Sequence, residues 1–556
     1  MPDDAKSELN DLSRVRHWAA AGYLSVLPSE LVLEIMERSD VRDIVSFHMT
    51  CHHFHDIVRS NPTLQYAITL FACGMEDNTR NLTPAPIDER LSRLQAHEDA
   101  WRNLRWTDAG VFTISIPPGP EWGPRFDGGI VLFNRRFTSA PTIAEVTRLG
   151  SELRGVKKRR WTLTAFSGSP GCYDPVQDLL TTHESPAAAR VHFLTLSSGS
   201  PHPAASVPSL ENCAWPIESV GDYVYYKPDN TLTTVYNWKT GQTKMVQSID
   251  RNARYVMKGQ VVLSVNCTIE GSTTLLTLSE TAFTAPSPRR LASFGLPMDT
   301  RGPVYYCGAQ KGCQGSVFDL QSQVTDAGNF VLDSNDCIIV FRAVERRGAQ
   351  GIFPGKCVEI FVSVKDLERF VERERPTDSD GRSGEQLGTP PFVPWEEWGP
   401  VYAFPTLLRP SFVGVSGSAV VLPSSPSSLY GLRRVDSHPT RRDGEYVVRV
   451  YDYHPQRVAR AEYLVTHAST GMSPKWTIKR EGHLPDGSMV TTRPYLVTEM
   501  KLPQKLQDRE SNSIRVHMCE DGIVISLRTY GVTHEDEEDE EDEGDKGSVK
   551  VYFWTI

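Results

Sequence analysis

Between about residues 24 and 106, apolar residues recur at the three- and four-residue spacing of amphipathic helices. Leu27, Leu31 and Ile35 lie four residues apart around Pro28, a residue suited to the first turn of a helix. A second helix is predicted after Asp40, which can act as its N-cap. The apolar side of this second helix is predicted to hold Val41, Ile44, Val45, His48, Cys51 and His52. Two more helices are predicted, over 61–71 and 86–106.

After Trp106 the pattern changes to short β-branched and aromatic runs separated by Gly, Pro, Asp and Ser. Segments such as GVFTISI, CVEIFVSV and SVKVYFW are typical of antiparallel strands. About twenty such strands exceed a single sandwich, whereas a β-propeller of about six to eight blades accommodates them without long exposed edges. The predicted fold class is therefore α+β multidomain, with a small helical module followed by a large all-β, propeller-like domain.

These patterns also set the predicted boundaries. We expect a flexible segment at 1–23, a helical module at 24–70, a helical connector at 71–106 and the all-β domain at 107–556. Mobile insertions are expected near 197–209, 375–390 and 534–547, where polar stretches interrupt the strand pattern.

The net charge of −10 comes from one segment, because residues 535–545 hold ten carboxylates in eleven positions. The other 59 acidic residues balance the 59 lysines and arginines. A neutral body argues against a general nucleic-acid surface. We interpret the acidic run as a solvated loop between two strands rather than as a ligand site.

The amino-terminal residues lack the pattern of a signal peptide, and no apolar run is long enough to span a bilayer. The ten cysteines are scattered without a C-x-x-C pair, which favours reduced thiols. We therefore expect an intracellular protein of the cytoplasm, the nucleus or both, without a membrane partner.

Three short segments suggest chemistry that the sequence does not otherwise support. His48, Cys51, His52 and His55 could share a helix face and bind zinc, but packing and surface chemistry explain them as well. GIFPGKC lacks the first glycine and the Ser or Thr of a phosphate loop, and KKRRW fits a basic turn before a strand. We expect no metal, no cofactor and no catalytic residue, although paired carboxylates of a glycosidase-like propeller cannot be recognised from sequence.

Residues 24–64 resemble an F-box. The matching residues are Leu27, Pro28, Glu30, Leu31, Ile35, Asp43, Ile44, Cys51 and the segment NPTL at 61–64. Ser39, Thr50 and Phe54 stand where the family usually has Leu, Val and Trp. With its long β-rich remainder and the segments GIFPGK and VPWEEWGP, the chain resembles large fungal F-box proteins with a propeller-like C-terminal domain.

The resemblance implies a non-catalytic, substrate-recognition subunit of an SCF-type cullin ubiquitin ligase. The box would dock on a Skp-type adaptor and through it on a cullin, and the β domain would bind an unidentified target protein. The residues expected to contact the adaptor, or to support that contact, are Leu27, Pro28, Leu31, Ile35, Ile44 and Phe47. Two alternatives stay open: an F-box scaffold acting outside a ligase, and a β-propeller enzyme.

Overall fold

A computed structural model of the 556-residue chain describes residues 27–78 and 84–104 and, with gaps, the strands, helices and turns between 107 and 555. The longest gaps are 312–328, 370–391, 409–428 and 530–547. The predicted flexible segment 1–23 and the insertions predicted near 375–390 and 534–547 lie outside the described residues.

The helices of the described residues are concentrated in the amino-terminal part of the chain. They are α1 (Ser29–Glu37), α2 (Val41–His48), α3 (His52–Ser60), α4 (Pro62–Cys73), α5 (Ile87–Asn103), α6 (Pro455–His467) and α7 (Gln504–Gln507). The first four form the helical module, and α5 follows as the predicted fourth helix. The expectation of a helical module followed by a β-rich region is confirmed. The prediction that 107–556 is all β was wrong, because α6 and α7 lie within it.

The second helix was predicted to continue to His52, and this prediction was wrong. Helix α2 ends at His48, and the Thr50 hydroxyl donates a hydrogen bond of 2.7 Å to the carbonyl of Phe47. Cys51 has an extended backbone, with φ −157°, and serves as the N-cap of α3. A threonine hydroxyl that binds a nearby carbonyl competes with helical bonding, which explains why the apolar stripe does not continue as one helix.

Among the described residues, the first strand begins at residue 75. Up to residue 237 they are β1 (Met75–Asp77), β2 (Thr107–Ser115), β3 (Arg125–Asp127), β4 (Ile130–Arg135), β5 (Thr142–Arg148), β6 (Arg159–Phe166), β7 (Ser169–Asp174), β8 (Leu179–His183), β9 (Val191–Thr195), β10 (Ser209–Leu210), β11 (Trp215–Val220), β12 (Tyr223–Lys227) and β13 (Leu232–Asn237). Up to residue 408 they are β14 (Thr243–Gln247), β15 (Arg254–Lys258), β16 (Val261–Glu270), β17 (Thr273–Ala282), β18 (Arg289–Asp299), β19 (Val304–Lys311), β20 (Phe330–Leu332), β21 (Ile338–Arg347), β22 (Phe353–Ser363), β23 (Phe392–Val393) and β24 (Ala403–Leu408). The remaining strands are β25 (Leu429–Tyr430), β26 (Arg433–Val435), β27 (Thr440–Arg442), β28 (Glu445–Asp452), β29 (Trp476–Lys479), β30 (Gly482–His483), β31 (Val490–Thr491), β32 (Tyr495–Lys501), β33 (Ile514–Cys519), β34 (Gly522–Thr529) and β35 (Ser548–Thr555).

Most of these strands form seven sheets of four to six strands. Their orders are β2-β35-β34-β33, β3-β4-β5-β6, β10-β9-β8-β7, β11-β12-β13-β14, β15-β16-β17-β18-β23, β19-β21-β22-β24 and β25-β26-β28-β32-β29, the last with β27 also paired to β28. The sheets are largely antiparallel meanders of consecutive strands, and β2 pairs with β35 near the end of the chain. Apolar side chains from neighbouring sheets pack together, for example Leu132 of β4 with Leu180 of β8, and Phe193 of β9 with Val224 of β12.

The helical module is joined to the β-rich region by more than the chain itself. Strand β1 pairs with β20, so residues just after α4 belong to a two-stranded sheet with a distant segment. Helix α5 buries Trp101 and Ala100 in a core cluster together with Val448 of β28 and Ile525 of β34. The predicted connector is therefore integrated into the core of the β-rich region.

The stretch 197–209, predicted as an insertion, forms turns that are bonded to the adjacent sheets. The amide of Ser197 donates to Asp178 at 2.7 Å, and the Ser206 amide donates to the carbonyl of Trp238 at 2.8 Å. His202 is buried, and its ring lies edge-on to Trp238. The mobility expected for this stretch stays a prediction.

Candidate protein-binding surface

The four helices of the module enclose a small core of their own. Buried apolar residues point inward from all four helices, in pairs one turn apart in α1 and α3. The core residues are Val32, Met36, Ile44, Phe54, Val58 and Leu64. Phe47 packs edge-on against Phe54, with ring centroids 5.7 Å apart. A core this small supplies little stabilisation, so each helix end and each exposed apolar group matters.

Side-chain caps fix where two of these helices begin. The Asp40 carboxylate accepts a hydrogen bond of 2.8 Å from the Arg42 amide at the start of α2. The Asn61 side chain accepts bonds of 2.9 and 3.1 Å from the amides of Thr63 and Leu64 at the start of α4. These bonds satisfy amides that have no partner within the helix, which places each helix in a defined register.

The outer faces of α1 and α2 carry apolar side chains that the module does not cover. Leu31 and Ile35 are one turn apart on α1 and are 48% and 39% exposed. Val45 and Met49 are one turn apart at the end of α2 and are 37% and 77% exposed. We call these four residues the apolar rows. Exposed apolar groups grouped in this way are typical of a surface that another protein covers.

The six residues predicted for adaptor contact fall into three structural classes. Pro28, Leu31 and Ile35 are exposed on or beside α1. Leu27 and Phe47 are half-buried at the edge of the core. Ile44 is buried, so it packs in the core of the module. The prediction included residues of this kind, which support the contact without touching the adaptor.

Val45 and Met49 were not predicted as contact residues. Val45 was assigned to the apolar side of a longer helix, and the end of α2 at His48 leaves Met49 on the surface. The four-residue spacing of Val45 and Met49 could have indicated that they share one face of the helix. Because the predicted helix extended too far, the sequence did not indicate which face points outward.

The histidine and cysteine residues at 48–55 do not form a ligand set. The His48 and His55 rings stack at 4.4 Å, while Cys51 is exposed at the N-cap of α3. Partial burial, together with the neighbouring His55, lowers the pKa of His48. Among the described residues, no three His, Cys, Asp or Glu side chains are arranged to hold a metal ion. Within the same part of the chain, every helix is too short or too polar to cross a membrane.

A comparison with protein families identifies the domain to which these helices belong. Residues 24–66 match the family model of the F-box domain. The chain therefore carries an F-box domain. F-box domains generally bind Skp1-type adaptors, and they imply a role as an adaptor in ubiquitin ligases. The predicted resemblance to an F-box is thereby confirmed.

Other comparisons add little. No curated protein matches the chain. Among solved structures, BamB from Moraxella catarrhalis is 8% identical, with 46% of this chain and 87% of that chain covered and a TM-score of 0.19. The N-terminal domain of Nup159 is 9% identical, with 44% and 80% covered and a TM-score of 0.16. At these TM-scores neither likeness carries an argument about the fold.

Proposed function

We propose that this protein is the substrate-recognition subunit of an SCF-type cullin ubiquitin ligase. The F-box would dock on a Skp-type adaptor and through it on a cullin, and the β-rich region would bind a target protein. The observation that carries this proposal is the F-box at residues 24–66, whose outer helices leave Leu31, Ile35, Val45 and Met49 exposed.

The apolar rows expose apolar surface to water, and covering this surface would favour docking. Burying apolar surface stabilises a complex by about 25 cal/mol per Å² before the losses of association are counted. In this proposal, Leu31, Ile35, Val45 and Met49 contact the adaptor, with Pro28 beside them. Leu27, Ile44 and Phe47 hold α1 and α2 in place from below.

For the β-rich region we propose a propeller-like arrangement with one blade for each of the seven sheets. Support comes from the meander order within the sheets and from the pairing of β2 with β35, which joins the two ends of this region in one sheet. Closing a ring in this way removes exposed sheet edges, and the surface of such a ring is suited to holding a target.

In this proposal the chain has no catalytic residue, because the thioester chemistry of ubiquitin transfer belongs to other subunits. Two thiols among the described residues fit a structural role. Cys73 is buried, and burial raises its pKa, which disfavours the reactive thiolate. Burial likewise raises the pKa of Cys213 to about 11.

The test is the affinity of the full chain for a purified Skp-type adaptor, compared between wild type and Leu31→Glu. A charge placed among the apolar contact residues is expected to weaken binding at least about tenfold. Leu464→Glu is the matched control, since Leu464 is also an exposed leucine on a helix but lies on α6, outside the F-box. The control is expected to bind as wild type does.

Co-purification with the adaptor then separates the proposed role from its alternative. Recovery of a cullin together with the adaptor supports a ligase subunit. Recovery of the adaptor without a cullin favours a scaffold acting outside a ligase. If wild type does not bind the adaptor, or if both leucine variants bind equally well, the proposed docking mode is wrong.

A further inference from the structure

Four charged side chains from distant parts of the sequence meet where α5 crosses the β-rich region. Glu98 lies on α5, Arg433 on β26, Asp452 at the end of β28 and Arg457 on α6. Glu98 Oε2 is 3.0 Å from Arg433 Nη2 and 3.2 Å from Arg457 Nε. Asp452 Oδ2 is 3.0 Å from Arg433 Nε and 3.2 Å from Arg457 Nη1. Each carboxylate therefore contacts both guanidinium groups, and we call the four residues the junction ring.

The junction ring is buried, with every member at most 9% exposed. Although burial alone would raise the pKa of Glu98, the guanidinium groups of Arg433 and Arg457 hold it well below its ordinary value. The pKa of Asp452 is lowered by the same two groups against the effect of burial. Both carboxylates are therefore charged. Charges taken out of water are tolerated only when well paired, so each member depends on its partners.

The junction ring also contacts the F-box side directly. The Arg457 guanidinium donates a hydrogen bond to the carbonyl of Cys73, the last residue of α4. The Arg433 guanidinium lies over the ring of Trp101 on α5, 4.7 Å from its centroid. The end of the helical module and the connector are thus held by the same two arginines.

We infer that Glu98 is a positioning residue that, through the junction ring, fixes the F-box at one orientation relative to the β-rich region. The purpose of this arrangement rests on the proposed function, since ubiquitin transfer depends on where the target is held relative to the adaptor. Apolar packing around Trp101 tolerates small rotations, whereas charge-assisted hydrogen bonds are directional and select one geometry.

Glu98 is the informative residue because it is the ring's only member on the amino-terminal side. Replacing it with Gln removes the ionic link between α5 and the two arginines. Asp452 keeps its contacts with Arg433 and Arg457, so the pairs within the β-rich region remain.

The experiment measures the distance distribution between spin labels at Arg59 on α3 and Thr240 in the turn before β14, by pulsed electron paramagnetic resonance. Both positions are exposed, and genetically encoded labels avoid the ten cysteines. Wild type is expected to give one narrow distribution. Glu98→Gln is expected to broaden it by at least about twofold, as a fixed junction becomes a hinge.

Two control variants separate positioning from general stability. In Glu499→Gln the lost carboxylate also contacts two arginines, Arg442 and Arg449, but on the exposed side of β32. Val146→Ala lowers stability in the core between two other sheets, neither of which carries a label. Both are expected to keep the wild-type width. If Glu98→Gln does not fold, Glu98→Asp is measured instead. Aspartate keeps the charge, but its shorter side chain places the carboxylate farther from Arg433 and Arg457.

A wild-type width in the folded Glu98 variant would overturn the inference, as would equal broadening in the controls. Adaptor affinity is measured in parallel and is expected to stay within about twofold of wild type, because the apolar rows lie on other helices. Failure of wild type to bind adaptor would refute the proposed function but leave the distance measurement as a test of the junction.

Discussion

Gly74 has two independent reasons to be glycine. Its backbone is left-handed, with φ +62°, and its amide closes α4 by bonding to carbonyls of the last turn. A Cβ atom added there would lie 2.5 Å from Nε2 of His454 and 2.8 Å from its Cδ2. His454 is buried and its own amide donates to Asp452 at 3.0 Å, so this ring has little freedom to move away.

Gly74→Ala is therefore expected to lower the free energy of unfolding by more than the left-handed backbone alone explains. Gly444→Ala is the matched control, since Gly444 has φ +84° but nothing within 4 Å of the added carbon. The control is expected to lose about 1–2 kcal/mol, the usual penalty for a side chain in this conformation. Denaturant titration of both variants measures the difference. Equal losses would contradict the role given to His454.

Helix α2 contributes residues both to the core of the F-box and to its exposed surface. Ile44 is buried against α1 and α3, while Val45 and Met49 face outward from the same helix. The orientation of these two exposed residues therefore depends on where the helix begins. That position is set by the Asp40 cap.

Asp40→Ala is expected to destabilise α2 by about 1 kcal/mol, because the Arg42 amide loses its acceptor. Hydrogen exchange of the α2 amides should then become faster, and adaptor binding should weaken less than it does in Leu31→Glu. Asp40→Asn keeps an acceptor oxygen at this position and is expected to exchange nearly as wild type does. If the alanine and asparagine variants behave alike, the cap does not set α2.

Helices α1, α4 and α5 and the start of α2 could be predicted from sequence, because caps and apolar spacing act within a few residues. Helix α3 was not predicted as a separate element, and α6 and α7 lie in the region that was predicted to be all β. Asp40 marks the start of α2 correctly, and the change at Trp106 marks the transition to strands. The end of α2 was misplaced, because the apolar stripe continues past Thr50 while the Thr50 side chain bonds the preceding turn. The spacing of apolar residues does not indicate whether a side-chain hydroxyl will replace the next backbone hydrogen bond of a helix.

At the scale of the whole molecule, the contacts that join the F-box to the β-rich region were not predictable. Glu98 and Arg433 are 335 positions apart, and a glutamate on an amphipathic helix is ordinarily a solvated residue. The pairing of β1 with β20 likewise depends on distant segments with no shared pattern. Only the assembled fold reveals that the connector carries a buried charge.

The junction ring makes the stability of the molecule depend on pH. The pKa of Glu98 lies well below its ordinary value of 4.5 in the folded chain, so the unfolded chain takes up a proton first as the pH falls. The contribution of Glu98 is therefore complete above about pH 5 and decreases below about pH 4.5, as protonation favours unfolding.

We expect wild type to melt at a higher temperature than Glu98→Gln at neutral pH, and the gap in Tm to narrow as the pH falls below about 4.5. Glu499→Gln provides the comparison, because a hydrogen bond from Arg449 also lowers the pKa of Glu499, although that carboxylate is 38% exposed. Added salt should reduce the difference in Tm between wild type and Glu499→Gln, because it screens exposed charges. The difference in Tm between wild type and Glu98→Gln should stay nearly unchanged, because buried pairs are screened much less. Thermal melts of the three proteins across pH, at low and high salt, measure both effects. If the difference in Tm between wild type and Glu98→Gln does not change with pH, or responds to salt as strongly as the difference for Glu499→Gln, then Glu98 is not held as a buried anion.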